Sequence, residues 1–508
     1  MSEVADRKRH SHLRLKRLGI DTYREHVIYM SRDCHVCRSE GFEVRSRVAV
    51  SLAGKSIVAT LNVIDGGLLS NEEASLSKAA WNHLGASEGE TVAVTHAPPL
   101  ASDSFLRKKV YGGELAKEEL AAIVAEIAGG RYDDIELAAF ITSCAGDRLS
   151  LRETVDLTSA MIDTGEKLSW DAPAVADKHC IGGLPGNRTS MIVVPIVAAA
   201  GVIIPKTSSR AITSPAGTAD VMETVSNVDL DIARMRRVVE QEGGCIAWGG
   251  SARLSPADDI LIGVERPLDF DSEGQLVASV LSKKIAAGST HVVLDLPVGT
   301  TAKLRSAEAA AALAARLVHV ANAFGLKTAI VQTDGTQPVG RGIGPALEAH
   351  DVLAVLQGHA GAPQDLKTRA VALAARLLEL VEAVPTGSGA SAAEQLLASG
   401  AAWQKFQNIC EAQGGMRIPG SAGYRLDIKS PRAGKVAAIH NRKLAKVAKL
   451  AGAPGAPLAG VVFHAPLGGL IERDQPLFTI HAETEGELAY AHDFVRTHED
   501  IVQLGETT

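Results

Sequence analysis

The sequence predicts a multidomain protein of mixed α/β and α+β class. It is expected to combine a helical subdomain, a large α/β domain with a mainly parallel sheet, a small N-terminal α+β unit and a C-terminal β-rich α+β domain. Two bulk properties support this: 508 residues exceed what one hydrophobic core accommodates, and 46% hydrophobic with 22% charged residues is typical of globular proteins. The third observation is that the apolar pattern divides the chain into four regions.

The first region, residues 1–97, is predicted to be a β-rich α+β unit. Stretches such as "FEVRSRVAVSL" and "SIVATLNVI" alternate in the way strands do. The segment "LSNEEASLSKAAWNHLG", Leu69–Gly85, is predicted as a helix that ends at its glycine.

The second region, residues 98–170, carries helical signals. Apolar residues in "ELAKEELAAIVAEIAGG" recur at spacings of three and four, which predicts an amphipathic helix. The segment "SLRETVDLTSAMIDTG" begins with Ser150 and Glu153 at the spacing of a capping box. These patterns predict two or three packed helices.

From Asp171 to about residue 420, β and α patterns alternate. Short β-branched runs such as "HVVLDLPV" are followed by long Ala/Leu-rich helical segments, which predicts a parallel sheet with crossover helices. Loops at the carboxyl ends of such strands are where ligands bind. Residues 421–508 return to short strands and predict a compact C-terminal domain.

Charge and composition exclude several classes of function. The net charge of −7 argues against non-specific nucleic-acid binding, and no apolar run reaches the roughly 18 residues of a membrane span. The basic N-terminal cluster is not followed by an apolar segment, so we expect no secretory signal and a cytoplasmic location.

Six cysteines do not form a disulfide scaffold in so long a chain. Cys34 and Cys37 form a C-x-x-C without a second pair at zinc-site spacing, and we expect no metal.

Two loops predict an anion site. In "DKHCIGGLPGNRTS" three glycines precede a predicted helix, and free backbone amides at a helix N-terminus bind anions. The spacing is neither that of a dinucleotide fingerprint nor that of a nucleotide-hydrolysing P-loop. The second loop, "PKTSSRAITSPAGTADVMETV", adds more hydroxyls and cations than a surface turn needs. Phosphate is the expected occupant, and no cofactor is expected.

These loops resemble the thymidine and pyrimidine-nucleoside phosphorylase family. "KTSSRAITSPAGTADVME" is similar to that family's signature, "DKHCIGG" to its D-K-H-S-x-G-G loop, and "TDGTQPVGRGIGPALE" to a later segment, over roughly residues 106–483. The segment "SRAITS" and the N-terminal extension are most similar to those of the family branch that contains archaeal AMP phosphorylases and bacterial type 2 thymidine phosphorylases. Two positions depart from the pyrimidine enzymes: Cys180 replaces a phosphate-binding Ser, and Pro215 stiffens the second loop.

The resemblance implies a role for each site residue. It implies phosphate binding by Lys178, Gly183, Ser190, Ser208 and Thr218. It implies substrate binding by Ser209, Arg210, Ala211, Ile212, Thr213, Ser214, Arg266, Ser279, Lys283 and Lys303. It also implies that about 258–288 joins the helical subdomain, that 171–257 and 289–420 form the α/β domain, and that the protein is a homodimer or a larger homo-oligomer.

The reaction implied is phosphorolysis of an N-glycoside, and two residues compete to protonate the leaving base. The resemblance to AMP phosphorylases implies that Asp271 is the proton donor. The resemblance to the pyrimidine enzymes implies that the donor is the histidine of D-K-H, here His179. Thymidine and AMP both stay open as substrates, because Arg266, Ser279 and Lys283 fit a pyrimidine whereas Asp271 and Lys303 fit AMP. An anthranilate-type phosphoribosyltransferase and a non-enzymatic binding module are the alternatives.

Overall fold

The computed structural model describes residues 11–211, 214–268 and 272–505, apart from the side chains of residues 266 and 267. It contains two compact units. One comprises the chain up to Gly113 together with Ala122–Phe140, and the other comprises Glu114–Ala121 and the chain from Ile141 onward. The expected mixture of helical, α/β and β-rich parts is confirmed.

The first unit is built on a closed six-stranded barrel of order β1-β5-β2-β4-β3-β6. Its strands are β1 His12–Leu15, β2 Val27–Ser31, β3 Arg47–Leu52, β4 Lys55–Ile64, β5 Glu73–Leu76 and β6 Thr91–His96. Alternate residues such as Val48 and Val50 are fully buried in the barrel core, as the period-two pattern predicts. Two short helices accompany the barrel: α1 His35–Glu40 and α2 Lys78–Leu84.

One sequence-based prediction in this unit is half wrong. The predicted helix over Leu69–Gly85 begins only at Lys78, where the Ser77 hydroxyl accepts a hydrogen bond from the backbone N–H of Ala80. Residues Glu73–Leu76 form β5 instead, because they pair with β1 and β2 in the barrel. Pairing with distant strands overrides the local helical preference there.

Four helices follow the barrel, where the helical patterns predict two or three. They are α3 Asp103–Val110, α4 Lys117–Ala128, α5 Asp134–Cys144 and α6 Leu151–Asp163. The capping box at the start of α6 is confirmed: the Ser150 hydroxyl accepts from Glu153 N at 3.1 Å, and Ser150 N donates to the Glu153 carboxylate at 3.0 Å.

The second unit contains the parallel strands. Three of them form a sheet of order β11-β10-β7, two more pair as β8-β9, and a parallel bridge between Val175 and Ile203 connects the two sets. The strands are β7 Ala176–Cys180, β8 Ile204–Ser208, β9 Gly244–Trp248, β10 His291–Val298 and β11 Lys327–Asp334. The accompanying helices are α7 Ser190–Ala199, α8 Thr218–Glu223, α9 Ile232–Glu242, α10 Pro256–Leu268, α11 Glu273–Ala286, α12 Ala307–Ala323, α13 Pro345–Leu356, α14 Gln364–Leu380, α15 Gly389–Ala398 and α16 Ala401–Gln413.

Helix α7 explains the apolar run that follows the glycine-rich loop. Residues Ser190–Ala198 are all buried, and their apolar members belong to the largest hydrophobic core. A helix that is apolar on every side is a core helix. Its burial fixes the position of the loop that precedes it.

The chain ends in two antiparallel sheets, of orders β12-β15-β17-β13 and β16-β14-β18. Their strands are β12 Gly342–Ile343, β13 Tyr424–Lys429, β14 Gly434–Ile439, β15 Gly460–Phe463, β16 Leu470–Ile471, β17 Pro476–Ala482 and β18 Val502–Gly505, with helices α17 Asn441–Leu450 and α18 Glu485–Arg496. Within the described residues, no helix is long and apolar enough to cross a membrane.

The capping box of α6 yields a stability prediction. Replacing Ser150 by Ala removes the acceptor for Glu153 N and should lower the free energy of unfolding by about 1 kcal/mol. Urea unfolding followed by circular dichroism measures the change. The control is Ser159→Ala on the same helix, where Ser159 makes only a 3.5 Å contact with Asp163. Equal stability of the two variants would contradict the prediction.

Candidate active site

Strand β7 presents different polar groups on its two faces. Because side chains alternate across a strand, Asp177 and His179 share one face, and Lys178 and Cys180 share the other. The strand ends at the predicted glycine-rich loop. Polar groups therefore reach both sides of the sheet at the carboxyl end of β7, which is where parallel sheets bind ligands.

Lys178 is buried and connects β7 to the start of α7. Its side chain is 1% exposed, and its ammonium group donates to the Thr189 hydroxyl at 2.7 Å and lies 3.7 Å from the Asp295 carboxylate on β10. Ser190, the first residue of α7, follows Thr189 directly and is also buried. Two predicted phosphate ligands, Lys178 and Ser190, are thus brought together. Sequence reasoning missed Asp295, because its partner lies more than a hundred residues away in the chain.

Two glycines of the loop are required by close packing. Gly183 has a φ of +81°, and a Cβ atom there would lie 2.8 Å from Lys303 Cβ and 2.9 Å from Lys303 N. Gly186 has a φ of +74°, and a Cβ atom would lie 2.1 Å from the Val339 carbonyl oxygen. Only glycine tolerates both conditions. The structure therefore places the backbone of Lys303, a predicted substrate contact, against the predicted phosphate loop.

Cys180 acts as an acceptor inside this loop. Its Sγ accepts from Asn187 Nδ2 at 3.2 Å and from Gly182 N at 3.4 Å, and Asn187 also donates to Asp295 at 3.3 Å. Burial raises the pKa of Cys180 to about 12, so the group is a neutral thiol near pH 7. Cys180, which stands where the pyrimidine enzymes have a Ser, therefore holds the loop through the hydrogen bonds that it accepts.

Arg188 connects the two predicted loops. Its guanidinium donates to the Thr218 hydroxyl at 3.1 Å and to the Ala216 carbonyl at 3.0 Å, and it forms a buried ion pair with Glu348. Thr218 begins α8 after the second loop, whereas Arg188 lies two residues before Ser190. The Arg188 side chain therefore connects the two loops on which phosphate ligands are predicted.

Ser208, at the end of β8, offers a hydroxyl for a ligand. It is 8% exposed, and in the described parts of the chain its Oγ atom has no hydrogen-bond partner. A buried polar atom of this kind is costly unless a ligand or water satisfies it. This is the property expected of a phosphate ligand.

Other polar groups of the second loop hold the loop itself. Arg210 donates to the Glu223 carboxylate at 2.5 and 2.9 Å and lies 4.8 Å above the Trp248 ring. Asp220 accepts from the backbone N–H of Ala211 at 2.6 Å and of Gly217 at 2.8 Å. These contacts give Arg210 and Ala211 a structural role.

The remaining predicted substrate contacts of this loop differ in their surroundings. Ser209 is exposed, and the Ser214 hydroxyl donates to the Ala216 carbonyl at 2.9 Å. Ile212 and Thr213 lie outside the described residues.

Helix α11 carries two adjacent lysines that face different partners. Lys283, predicted to bind a base, forms an ion pair with Asp258 and lies 3.8 Å from Asp259. Lys284 instead lies 2.9 Å from Asp177 and donates to the Thr207 carbonyl at 3.3 Å. Sequence reasoning did not select Lys284, although "SKK" places the second amine about 100° around the helix from the first.

The other residues of the predicted base site are only partly described. Ser279 is half-buried on α11, four residues before Lys283. Asp271 and the side chain of Arg266 lie outside the described residues.

The electrostatic surroundings of His179 fix its charge. Burial, and then the amines of Lys284, Lys206, Lys178 and Lys283, hold the pKa of His179 well below its usual value. The imidazole is therefore neutral near pH 7. A neutral imidazole can donate or accept a hydrogen bond, but it lacks the extra proton that an imidazolium would deliver.

Comparison with known proteins identifies the domains that carry this site. Residues 103–165 match the helical bundle domain of a glycosyl transferase family, and residues 172–403 match its a/b domain. "Putative thymidine phosphorylase 2" of Acidovorax sp. (strain JS42) is 60% identical over 96% of both chains. "Putative thymidine phosphorylase" of Legionella pneumophila (strain Paris) is 56% identical over 99% of this chain and 97% of its own.

A solved structure shares the fold at low sequence identity. The chain matches anthranilate phosphoribosyltransferase (TrpD) from Thermus thermophilus with a TM-score of 0.52 and 19% identity. The match covers 61% of this chain and 98% of the other.

The glycine loop gives a matched pair of variants. Gly183→Ala should weaken phosphate binding about tenfold or more, because the new Cβ atom would lie 2.9 Å from Lys303 N and force the loop away from the Lys303 backbone. Gly182→Ala is the control, since Gly182 also has a positive φ, +90°, but a Cβ atom there would have no neighbouring atom within 4 Å. Calorimetric titration with inorganic phosphate measures both. A Gly182→Ala loss equal to that of Gly183→Ala would contradict the packing argument.

Proposed function

This chain belongs to the thymidine phosphorylase family, with its glycosyl transferase helical bundle and a/b domains, and we propose that it catalyses the reversible phosphorolysis of thymidine. The products would be thymine and 2-deoxyribose 1-phosphate. Inorganic phosphate is the co-substrate, and the proposal includes no cofactor. The relatives' names support thymidine as the first substrate to test.

The observation that carries the proposal is the buried hydroxyl of Ser208, which lacks a partner within the described residues. It ends β8 in a region that also buries the amines of Lys178 and Lys206. A phosphate oxygen would accept from the hydroxyl, and its charge would complement the amines. The start of α7 at Ser190 adds backbone donors and the positive end of a helix dipole.

The proposed reaction needs phosphate positioned against the anomeric carbon. A phosphate oxygen forms the new C–O bond while the C–N bond to the base breaks, through an oxocarbenium-like transition state. The electron pair of the C–N bond leaves with the base, which then takes a proton. Fixing phosphate on preformed loops can contribute about 7–11 kcal/mol in favourable cases.

We assign proton delivery to Asp271 and a hydrogen-bonding role to His179. The neutral state of the His179 imidazole supports this division, because a neutral imidazole is a poor acid near pH 7. Asp271 lies just before α11 in the chain, and that helix carries Ser279 and Lys283.

AMP is the second candidate substrate, and one observation favours it. The backbone of Lys303 packs directly against Gly183 of the phosphate loop, which supports a contact between the Lys303 side chain and a 5′-phosphate. Lys283, in contrast, is paired with Asp258. The products in this case would be adenine and ribose 1,5-bisphosphate.

A substrate panel tests the proposed reaction. Thymidine, uridine, cytidine, adenosine and AMP are incubated with and without phosphate, without added magnesium, and the free base is quantified by chromatography. Phosphate-dependent release of thymine is expected. Release from AMP but not from adenosine would reassign the substrate to the nucleotide. Activity that requires a 5-phosphoribosyl 1-pyrophosphate donor and magnesium would instead indicate the phosphoribosyltransferase reaction of the solved relative.

The proton donor is tested by two variants. Asp271→Asn should lower kcat by about 100- to 10,000-fold, because the amide cannot supply the proton. His179→Asn should lower it less, since an amide can replace the hydrogen bonds of a neutral imidazole. Both variants are assayed at saturating phosphate. If His179→Asn is the inactive variant and Asp271→Asn retains activity, the assignment is reversed.

A further inference from the structure

A cluster of buried charges lies on the Asp177 face of β7, and of its members the proposed reaction uses only the Lys206 amine, whose charge complements the phosphate. Lys206 Nζ lies 3.3 Å from Asp177 Oδ1, and Lys284 Nζ lies 2.9 Å from Asp177 Oδ2. Both lysines are 3% exposed and the aspartate is 0% exposed. One carboxylate therefore serves two buried amines, which we call the Asp177 cluster.

The Asp177 cluster contacts both strands that carry predicted phosphate ligands. Lys206 and Lys284 each donate to the Thr207 carbonyl, at 2.7 and 3.3 Å, and Thr207 immediately precedes Ser208. Asp177 Oδ1 accepts the backbone N–H of Lys178 at 2.7 Å. An anion that binds beside Ser208 and Lys178 would therefore interact electrostatically with the cluster amines at short range and in a buried, weakly screened environment.

Several other titratable groups face this cluster. His179 belongs to β7, Cys245 to β9 and Lys283 to α11. Lys178 lies on the opposite face of β7, where Asp295 on β10 balances its charge. Lys283 is balanced by its ion pair with an aspartate of α10. The two cluster amines therefore share a single carboxylate between them.

Burial and the neighbouring Lys206 amine make Lys284 easy to deprotonate. Burial, together with the neighbouring Lys206 and against the attraction of Asp177, lowers the pKa of Lys284 to about 7. A lysine with this pKa is largely neutral above neutral pH. A nearby dianion would favour its ammonium form.

We propose that the Asp177 cluster is a proton-coupled anion site, in which Lys284 takes up one proton when a divalent anion binds at the phosphate loops. This inference rests on the phosphate site of the proposed function. In the step, the neutral Lys284 amine and a solvent proton form an ammonium ion, and no covalent bond to the anion is made. Lys206 and Lys284 are positioning residues here, since they act through the charge and backbone of β8.

Proton-linked calorimetry tests the coupling on the full-length protein. Sodium sulfate is titrated at about pH 8 in Tris and in HEPES, whose ionisation enthalpies differ, and the difference in heat gives the protons taken up per anion. Sulfate stays a dianion in this range, so any proton uptake belongs to the protein. Inorganic phosphate is titrated in parallel.

The wild-type protein should take up about 0.5–1 proton per sulfate, and Lys284→Met should abolish this uptake. Lys206→Met provides a second variant: removing the neighbouring amine lets Lys284 hold its proton before the anion arrives, so uptake should also fall. Lys405→Met is the control, because Lys405 is a half-buried lysine paired with Glu242 at 3.1 Å on other elements. It should retain the wild-type uptake.

The outcomes separate this inference from the proposed function. Sulfate and phosphate binding without proton uptake, or with uptake that persists in Lys284→Met, would overturn the proton coupling and leave the phosphate site intact. Failure of both anions to bind would overturn the phosphate site and the coupling together. Phosphorolysis in the substrate panel is measured independently of either result.

Discussion

The site depends on the burial of lysine amines at the ends of two parallel strands. A buried ammonium group is tolerated only with a counter-charge and satisfied hydrogen bonds. Asp295 supplies the counter-charge for Lys178, and Asp177 supplies it for both Lys206 and Lys284. Because two aspartates face three amines, the strand ends carry an excess positive charge when all three amines are protonated, and an anionic ligand complements that charge.

Hydrogen bonds and close packing hold the described parts of the loops around this charge. Arg188 reaches from the first loop to Thr218 at the start of α8, and Asp220 closes the second loop through two backbone N–H groups. Glycines allow the first loop to approach the chain at Lys303 and Val339 without intervening side chains. Donors held in this way need little reorganisation when an anion binds, which is the basis of electrostatic catalysis.

The same charges connect the two proposals. Burial and the amines that complement phosphate together keep the His179 imidazole neutral, and burial with the neighbouring Lys206 amine lowers the pKa of Lys284 to about 7. A site built to attract a dianion is thus a poor environment for an imidazolium acid. The proposal of a carboxylic acid, rather than His179, as the proton donor rests on this neutral imidazole.

The sequence by itself determined what depends on local spacing and motif. The capping box at Ser150, the glycine-rich loop before α7 and the alternation of β and α segments require only neighbours in the chain, and the structure contains them. The family resemblance rested on the same local motifs and is confirmed. Lys178 lies on β7, Ser208 ends β8 and Ser190 begins α7, and their contacts with phosphate stay a prediction.

Tertiary structure decided which partners these groups meet. The predicted helix around Glu73–Leu76 became β5 because barrel strands distant in the chain pair with it. Asp295 lies more than a hundred residues from Lys178, and Lys284 turns toward Asp177 while its neighbour Lys283 turns toward α10. Hydrogen bonds and charge pairs act over a few ångströms in space, whereas a sequence pattern records only separation along the chain, so these pairings emerge only when the strands and helices are assembled.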